Sequence, residues 1–582
     1  MAVAPTLRKA TCRQAPDTNQ SGDPMPAWGD SRIWRVLDTD FHDGSRFLAH
    51  WASWLGDGRA PRELHYVAIA ASLPDADALA YRMRAHGPLA SQVAGLKRLW
   101  PGRTTGFHRF ELSAGRVLLT LCVGSLPQML LEQQFLADSV VLHGSPVASA
   151  VWDRWTIKSL ARLCRRGTGL QVLQASPTLL DALTQAGMAP DPGAANDGHH
   201  LRFNPRWEAS NTRHRWRHAA PAPNQCAIVG AGLAGATAAA ALARRGWQVT
   251  VLDASPLPAA GASGLPAALM VPQPSRDDNS RSRLSRAGVQ LTRQWCAALL
   301  REQEDWAPSG VRQLFPDQPQ AEPVWHASGA WIKPARLVYA CLARPGVRFI
   351  GGAVVHRAVR HPDSWTLLDA AGRELVRAPQ LVLAAANGTA PLLERLHCAD
   401  GAALPALQMP GAMQTVGGQI SWGMQSDDDA AHFPDTPVNG RGHFLAHVPM
   451  DGQRAWFLGA SYETAAAPRQ SEAISHSGNW QRLAHLSPAA ARVLAGRFEA
   501  GAVRAWHGIR CTTSDRLPAV GPLQLVASPC LWISAGMGSR GLTYAVLCAE
   551  LLAGQLGGLP LPVEASLARL LAAGRHSLSD HL

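Results

Sequence analysis

The sequence predicts an α/β protein made of two consecutive units, and three observations carry that prediction. A strand, a glycine turn, a small-residue helix, a second strand and an acid follow one another from Cys226 to Asp253. Strand-like and helix-like segments alternate from Trp34 to Asn204. Near the C-terminus the chain returns to a glycine turn, Gly536-Met-Gly538-Ser539-Arg540-Gly541, followed by an apolar helical run to Leu552. Strands alternating with helices argue for parallel sheets covered on both faces. With 582 residues, 47% hydrophobic and 17% charged, the chain has room for two or three globular domains.

Composition narrows the function classes. Arg8, Lys9 and Arg13 have no apolar run after them, so no signal peptide is expected, and no stretch is apolar enough to span a bilayer. Ten cysteines without a C-x-x-C pair fit reduced cytoplasmic thiols, with neither a disulfide frame nor a metal site. A net charge of +12 fits a polyanionic partner such as RNA. The only lysines are Lys9, Lys97, Lys158 and Lys333, so an arginine-rich composition accounts for part of that charge.

Residues 1–30 are polar, with Pro and Gly, and are expected to form a flexible tail. The first unit spans 31–204. Its expected strands are Trp34–Leu37, Leu64–Ile69, Val117–Val123 and Ser139–Leu142, and its expected helices are Phe47–Leu55, Met129–Phe135 and Trp155–Cys164. A parallel sheet is expected here. Residues 205–225 form a basic linker in which Arg206, Arg213, Arg215 and Arg217 interleave with Trp207 and Trp216. Such a pattern suits phosphate contacts and base stacking, and it also suits a solvated connector.

The second unit spans 226–582. Cys226–Gly230 reads as a buried strand, Ala236–Arg245 as a helix, and Gln248–Leu252 as a second strand closed by Asp253. Gly230 permits the sharp turn, Gly232 lets backbone approach a pyrophosphate, and Gly235 lets the helix pack on the strand. The helix N-terminus offers N–H groups to phosphates, and Asp253 is placed to accept from a ribose hydroxyl. Gly261-Ala-Ser263-Gly264 follows, then strand-like segments at Val347–Ile350, Trp365–Leu368, Leu381–Ala385, Gly418–Trp422 and Ala455–Leu458.

This second unit resembles the FAD-dependent amine oxidase superfamily of the D-amino-acid and glycine oxidases. The resemblance implies an FAD-binding doubly wound domain with an inserted antiparallel-sheet substrate domain. It implies FAD contacts at Gly230, Gly232, Gly235, Asp253 and Ser263. Further contacts fall on Leu381-Val-Leu-Ala-Ala-Ala386-Asn-Gly388 and, beside the flavin ring, on Gly538, Ser539 and Gly541. Several motifs in order narrow the match: Gly261-Ala-Ser-Gly, Gly459-Ala-Ser-Tyr462, Ser514-Asp-Arg-Leu-Pro518-Ala-Val-Gly521 and Gly538-Ser-Arg-Gly-Leu542. They are similar to the C-terminal half of the bifunctional tRNA 5-methylaminomethyl-2-thiouridine biosynthesis proteins. That family's flavin domain removes the carboxymethyl group from 5-carboxymethylaminomethyl-uridine at the tRNA wobble position. The substrate's carboxylate needs a fixed cation. Arg510 matches the carboxylate-binding arginine of related oxidases, Arg540 is the second candidate, and Tyr462 and His507 are candidates to orient the amine, a packed role in the core being the alternative for each. The stretch between Arg312 and Trp331 is shorter than the family's, and Arg441–Phe444 replaces a Gly-rich segment.

The first unit resembles the same family's S-adenosylmethionine-dependent methyltransferase half, a Rossmann-like domain, and departs from it at the cofactor motifs. The family's Glu-Thr-Gly-Phe-Gly-x-Gly is here Asp38-Thr39-Asp40-Phe41-His42-Asp43-Gly44. The acid expected after the second strand falls on Ala70, a Gly-Asp pair on Gly124-Ser125, and the substrate loop's Asp-Gly-Phe on His143-Gly144-Ser145. The expectation is therefore a tRNA-modifying FAD oxidoreductase whose methyltransferase-like half keeps the fold and has lost the chemistry, S-adenosylmethionine being a doubtful cofactor. Three alternatives stay open: a fully bifunctional enzyme, an FAD oxidase of a small free amine or amino acid, and a non-enzymatic tRNA-binding protein with a vestigial flavin site. The intact glycine motif with Asp253 argues against the last.

Overall fold

The structure, a computed structural model, describes residues 28, 31–77, 96–97, 100, 104–144, 151–174, 176–191, 199–207, 222–315, 317–318, 320–399, 413–464, 470–523 and 531–575. Of the expected flexible tail only Trp28 is described, and it is buried against Trp34 with ring centroids 5.7 Å apart; the rest of the tail and the linker's Arg213, Arg215, Trp216 and Arg217 lie outside the described residues.

The first unit runs β1 Ile33–Asp38, α1 Ser45–Gly56, β2 Glu63–Ala70, β3 Gly106–Leu112, β4 Val117–Val123, α2 Leu126–Leu131, β5 Ala137–His143, α3 Arg154–Arg162, β6 Cys164–Leu173, α4 Pro177–Gln185, β7 Met188–Pro190 and β8 His200–Phe203. Its eight strands lie in the order β3-β4-β2-β1-β5-β6-β8-β7. The central pairs are parallel, with Ile33 opposite Glu63 and Leu37 opposite Val140. β3, β8 and β7 pair antiparallel at the two edges, so the all-parallel expectation holds only for the middle of the sheet. β2 and β4 are buried along their whole length, as strands covered on both faces must be. The helix expected at Met129–Phe135 is Leu126–Leu131, opened by Pro127 in its first turn. The helix expected to reach Cys164 stops at Arg162, because β6 begins at Cys164.

In the second unit β9 Gln225–Val229, α5 Leu233–Arg244 and β10 Gln248–Leu252 open a six-stranded sheet. Its order is Val347–Ile350, β10, β9, Gln380–Leu383, Leu531–Ala535, Ala519–Leu523, with only the last pair antiparallel. The helix starts at Leu233, ahead of the expected Ala236, because Gly232 already serves as its N-cap. Between Leu383 and Leu531 the chain builds most of a second, eight-stranded sheet, which includes Gln414–Met424, Gly442–Met450, Gln453–Gly459 and Arg504–Thr512. That sheet is antiparallel except for one parallel pair, Val311–Gln313 with Val438–Gly440.

Small residues bring three helices together under the glycine loop. Ala236 and Ala238–Ala243 are all buried in the core. Thr237 Oγ1 donates to the Ala545 carbonyl at 3.1 Å in the C-terminal helix Gly541–Gly557, and Thr292 Oγ1 of the helix Ser280–Leu299 donates to Leu542 O at 2.7 Å. A methyl group on Gly288 would sit 2.0 Å from Thr543 O, so glycine is what permits that approach.

The two units are joined by buried polar contacts. Arg109 of β3, 2% exposed, donates to Pro560 O at 2.7 Å and Leu561 O at 2.9 Å. Glu111 receives Arg244 at 2.5 Å and the Trp295 indole at 3.1 Å. Arg244 also meets Glu550 at 2.7 Å, and Arg245 meets it at 2.8 Å. Burial by itself would push the Glu550 carboxyl up, but the two guanidiniums outweigh it and hold it well below the usual carboxylate range. Among the described residues no helix is long and apolar enough to cross a membrane.

Candidate active site

A cavity of about 1910 Å³ opens between the six-stranded and eight-stranded sheets. Small-molecule pockets usually measure roughly 300–1,000 Å³, so this one has room for a dinucleotide and a second ligand. It lies beyond the carboxyl ends of β9 and Gln380–Leu383, where the strand order reverses, the position at which open α/β sheets bind ligands.

One end is built by the glycine turn. Gly230 has φ of +110°, and a Cβ there would lie 2.4 Å from Ala384 O. A Cβ on Gly235 would lie 1.8 Å from Gly230 O, so this glycine packs behind the turn and does not line the cavity. At Gly232 the nearest obstacle is Ser263 Oγ at 3.2 Å, and the backbone there faces the cavity. Asp253 Oδ2 accepts from Ala231 N at 2.7 Å and Oδ1 from Ser255 N at 2.8 Å, which fixes the carboxylate at the cavity wall with lone pairs left on both oxygens. Ser263 Oγ accepts from Leu233 N at 2.9 Å, so it covers one of the helix N–H groups that the sequence offered to a phosphate.

The opposite wall carries the cations. Arg510 stands on Arg504–Thr512, opposite Val416 in the register. Its Nη1 donates to Ser539 Oγ at 3.1 Å, and its Nη2 donates to Gly417 O at 3.2 Å and Ser461 O at 3.4 Å. None of these partners is a carboxylate. Burial pulls the guanidinium below its ordinary value, against the pull of Tyr462 and Glu463. A Cβ on Gly418 would sit 2.2 Å from Arg510 Nη2, so a bare backbone at 418 makes the space that the guanidinium fills. Arg540 lines the same cavity beside Arg281 and Arg516. Burial first, and then those two like charges, disfavour its charged form, while Tyr544 favours it.

Ala386, Gly538, Ser539 and Gly541 also line this cavity, with Gly230, Gly232, Asp253, Ser263, Arg510 and Arg540, whereas Gly235 and His507 do not. Tyr462 lines it and is exposed. His507 Nε2 lies 3.5 Å from Glu463 Oε2 without a hydrogen bond to it, and Glu463 Oε1 accepts from Ser461 Oγ at 3.1 Å. Sequence reasoning missed His443. It lines the cavity beside Arg510, and burial, with Arg510 adding, pushes its imidazole down to about 4, so it is neutral at neutral pH. Its only signal was its place in the segment Arg441–Phe444 that departs from the family pattern.

Residues 225–323 and 299–555 match the family model described as FAD dependent oxidoreductase. The chain is 46% identical over 596 aligned residues to the tRNA 5-methylaminomethyl-2-thiouridine biosynthesis bifunctional protein MnmC of Albidiferax ferrireducens, a match covering 98% of this chain and 96% of that one. It is 42% identical to the protein of the same name from Polaromonas naphthalenivorans, over 92% of this chain and 89% of that one. Among solved structures, glycine oxidase from Geobacillus kaustophilus superposes with a TM-score of 0.47 at 18% identity, over 60% of this chain and 98% of that one.

Proposed function

The chain belongs to the family of the tRNA 5-methylaminomethyl-2-thiouridine biosynthesis bifunctional proteins and, over residues 225–555, to the FAD dependent oxidoreductases, and on that premise we propose that it oxidatively removes the carboxymethyl group from 5-carboxymethylaminomethyl-(2-thio)uridine at the wobble position of tRNA. The functional units are a methyltransferase-like domain at 31–204 and an FAD domain at 226–582, joined by the basic linker 205–225. The setting is the cytoplasm. The observation that carries the proposal is Arg510, a half-buried guanidinium with neutral hydrogen-bond partners, in the same cavity as the dinucleotide turn.

FAD would be held by Gly230 and Gly232, by Asp253 at the ribose, and by Ser263, Ala386, Gly538, Ser539 and Gly541. A two-electron acceptor for the C–H bond beside the substrate nitrogen is the chemistry FAD supplies when bound. The protein's own residues position the substrate. Its modified side chain ends in an N-substituted glycine, and Arg510 takes that carboxylate in a charge-assisted pair strengthened by the partly dry site. Neutral His443 and the exposed Tyr462 hydroxyl flank the region where the amine would lie. The methylene carbon loses a hydride and the nitrogen a proton, leaving an imine. Water adds to its carbon and the C–N bond breaks, giving glyoxylate and the aminomethyl nucleoside.

Anaerobic mixing of the yellow holoprotein with tRNA bearing the modified uridine tests this. The visible flavin absorbance should fall with the modified tRNA and stay unchanged with glycine, N-methylglycine or unmodified tRNA. Bleaching by the small amines, with none by tRNA, would instead identify an oxidase of free amino acids.

A further inference from the structure

In the first unit the strand order reverses between β1 and β5, so the crevice for a nucleoside cofactor lies beyond Asp38 and His143. A cofactor bound there needs a turn with free backbone N–H groups and no side chains in the way. In the turn 39–45 every N–H but that of Asp43 is already taken, and side chains stand at positions 40, 42 and 43. Thr39 N donates to Val141 O at 2.9 Å, Phe41 N to Ile69 O at 2.7 Å, and Gly44 N to Phe41 O at 2.9 Å. Asp40 N is taken by Asp38 Oδ1 at 3.0 Å, His42 N by Asp40 Oδ1 at 3.2 Å, and Ser45 N by Asp43 Oδ1 at 3.0 Å. The turn's own aspartates thus sit where a ligand's acceptors would.

The crevice is also filled from the helix side. The Arg46 side chain, 16% exposed, bonds Asp38 Oδ2 at 3.3 Å through Nε and the Asp40 carbonyl through Nη2. Tyr66 Oη donates to the same Asp38 oxygen at 2.7 Å, so the acid at the end of β1 is fully engaged. At the end of β2, where a ribose needs an acceptor, stands Ala70, 4% exposed and without a polar side-chain atom. The cofactor that the family implies carries a sulfonium, an ammonium and a carboxylate, and here Arg46, which could meet the carboxylate, is already bound to Asp38 and the Asp40 carbonyl, while Asp38, which could meet the ammonium, is taken by Arg46 and Tyr66. The residues present do not fit S-adenosylmethionine.

We infer that the first unit is closed to S-adenosylmethionine by the self-bonded turn 39–45 and the Arg46 plug, and that the chain releases the primary aminomethyl product unmethylated. A separate N-methyl transfer would have to consume that product. The closure stands on the geometry of the turn and of Arg46, while the identity of the product also rests on the oxidation proposed above.

The test uses the full-length FAD-loaded protein in titration calorimetry with S-adenosylmethionine and with S-adenosylhomocysteine. No saturable binding up to roughly 1 mM is expected, and saturation at or below about that concentration overturns the closure. A parallel reaction on modified tRNA with S-adenosylmethionine should give the aminomethyl nucleoside alone, and a methylaminomethyl nucleoside overturns the inference. If no aminomethyl nucleoside forms at all, the oxidation fails, and the calorimetry still decides the closure on its own.

Discussion

Replacing Glu550 by Gln probes the joint between the two units. The carboxylate is wholly buried and accepts from Arg244 Nη2 at 2.7 Å, Arg245 Nη1 at 3.2 Å and Arg245 Nη2 at 2.8 Å. Each such pair is worth about 4 kcal/mol in Coulomb terms at an effective dielectric near 20. The amide keeps the shape and removes the charge, leaving Arg244 paired with Glu111 and Arg245 with no directly paired carboxylate, Glu63 acting on it only at longer range. Removing one partner of a buried pair costs about 3–5 kcal/mol, most of it from the stranded cation. At a few degrees per kcal/mol, the melting temperature should fall by roughly 10 °C. Differential scanning calorimetry of holoprotein reads this, and the Glu111→Gln variant completes a double-mutant cycle, because Arg244 bridges both acids. A loss under about 2 °C, or additivity within about 0.5 kcal/mol, would refute the idea that this network holds the units together. The pH dependence has a definite sign. The folded Glu550 titrates below its unfolded value, so its stabilisation is fully present above the unfolded carboxylate pKa, about 4.3, and is lost as pH falls through the lower folded value.

Three further outcomes follow from the cavity. Gly418→Ala would push Arg510 Nη2 aside, so KM for modified tRNA should rise about tenfold or more while the protein still binds FAD, and steady-state kinetics read it. Arg510→Lys replaces a planar fork by a point charge and should lower kcat/KM by roughly 10²-fold, about 2.7 kcal/mol; an unchanged value would remove Arg510 from the site. Gly235→Ala drives a methyl group into the Gly230 carbonyl, so the purified protein should be colourless or lose FAD on gel filtration.

Much of this site was legible in the sequence because its parts are short and local. The turn from Gly230 to Gly235 and the acid at Asp253 specify a geometry within one strand–helix–strand unit, and the structure builds that unit. Arg510 was legible only through resemblance, since its setting depends on Gly417, Ser461 and Ser539, far apart in the chain. The antiparallel edges of the first sheet were hidden because period-two alternation does not encode strand direction. β6 was missed because Arg165 and Arg166 interrupt its apolar face. The joint had an overlooked signal. Glu550 is the only charged residue in the apolar helix Gly541–Gly557, and Arg244-Arg245 ends an alanine-rich one. A lone acid in an apolar helix needs a buried cation, but sequence alone does not say which.

Nucleoside mass spectrometry after reaction of the purified holoprotein with tRNA carrying 5-carboxymethylaminomethyl-uridine tests the central claim most directly. The predicted result is loss of that nucleoside and appearance of the aminomethyl nucleoside, with glyoxylate in equal amount. An unchanged carboxymethylaminomethyl nucleoside, with FAD bound and the protein folded, would contradict it.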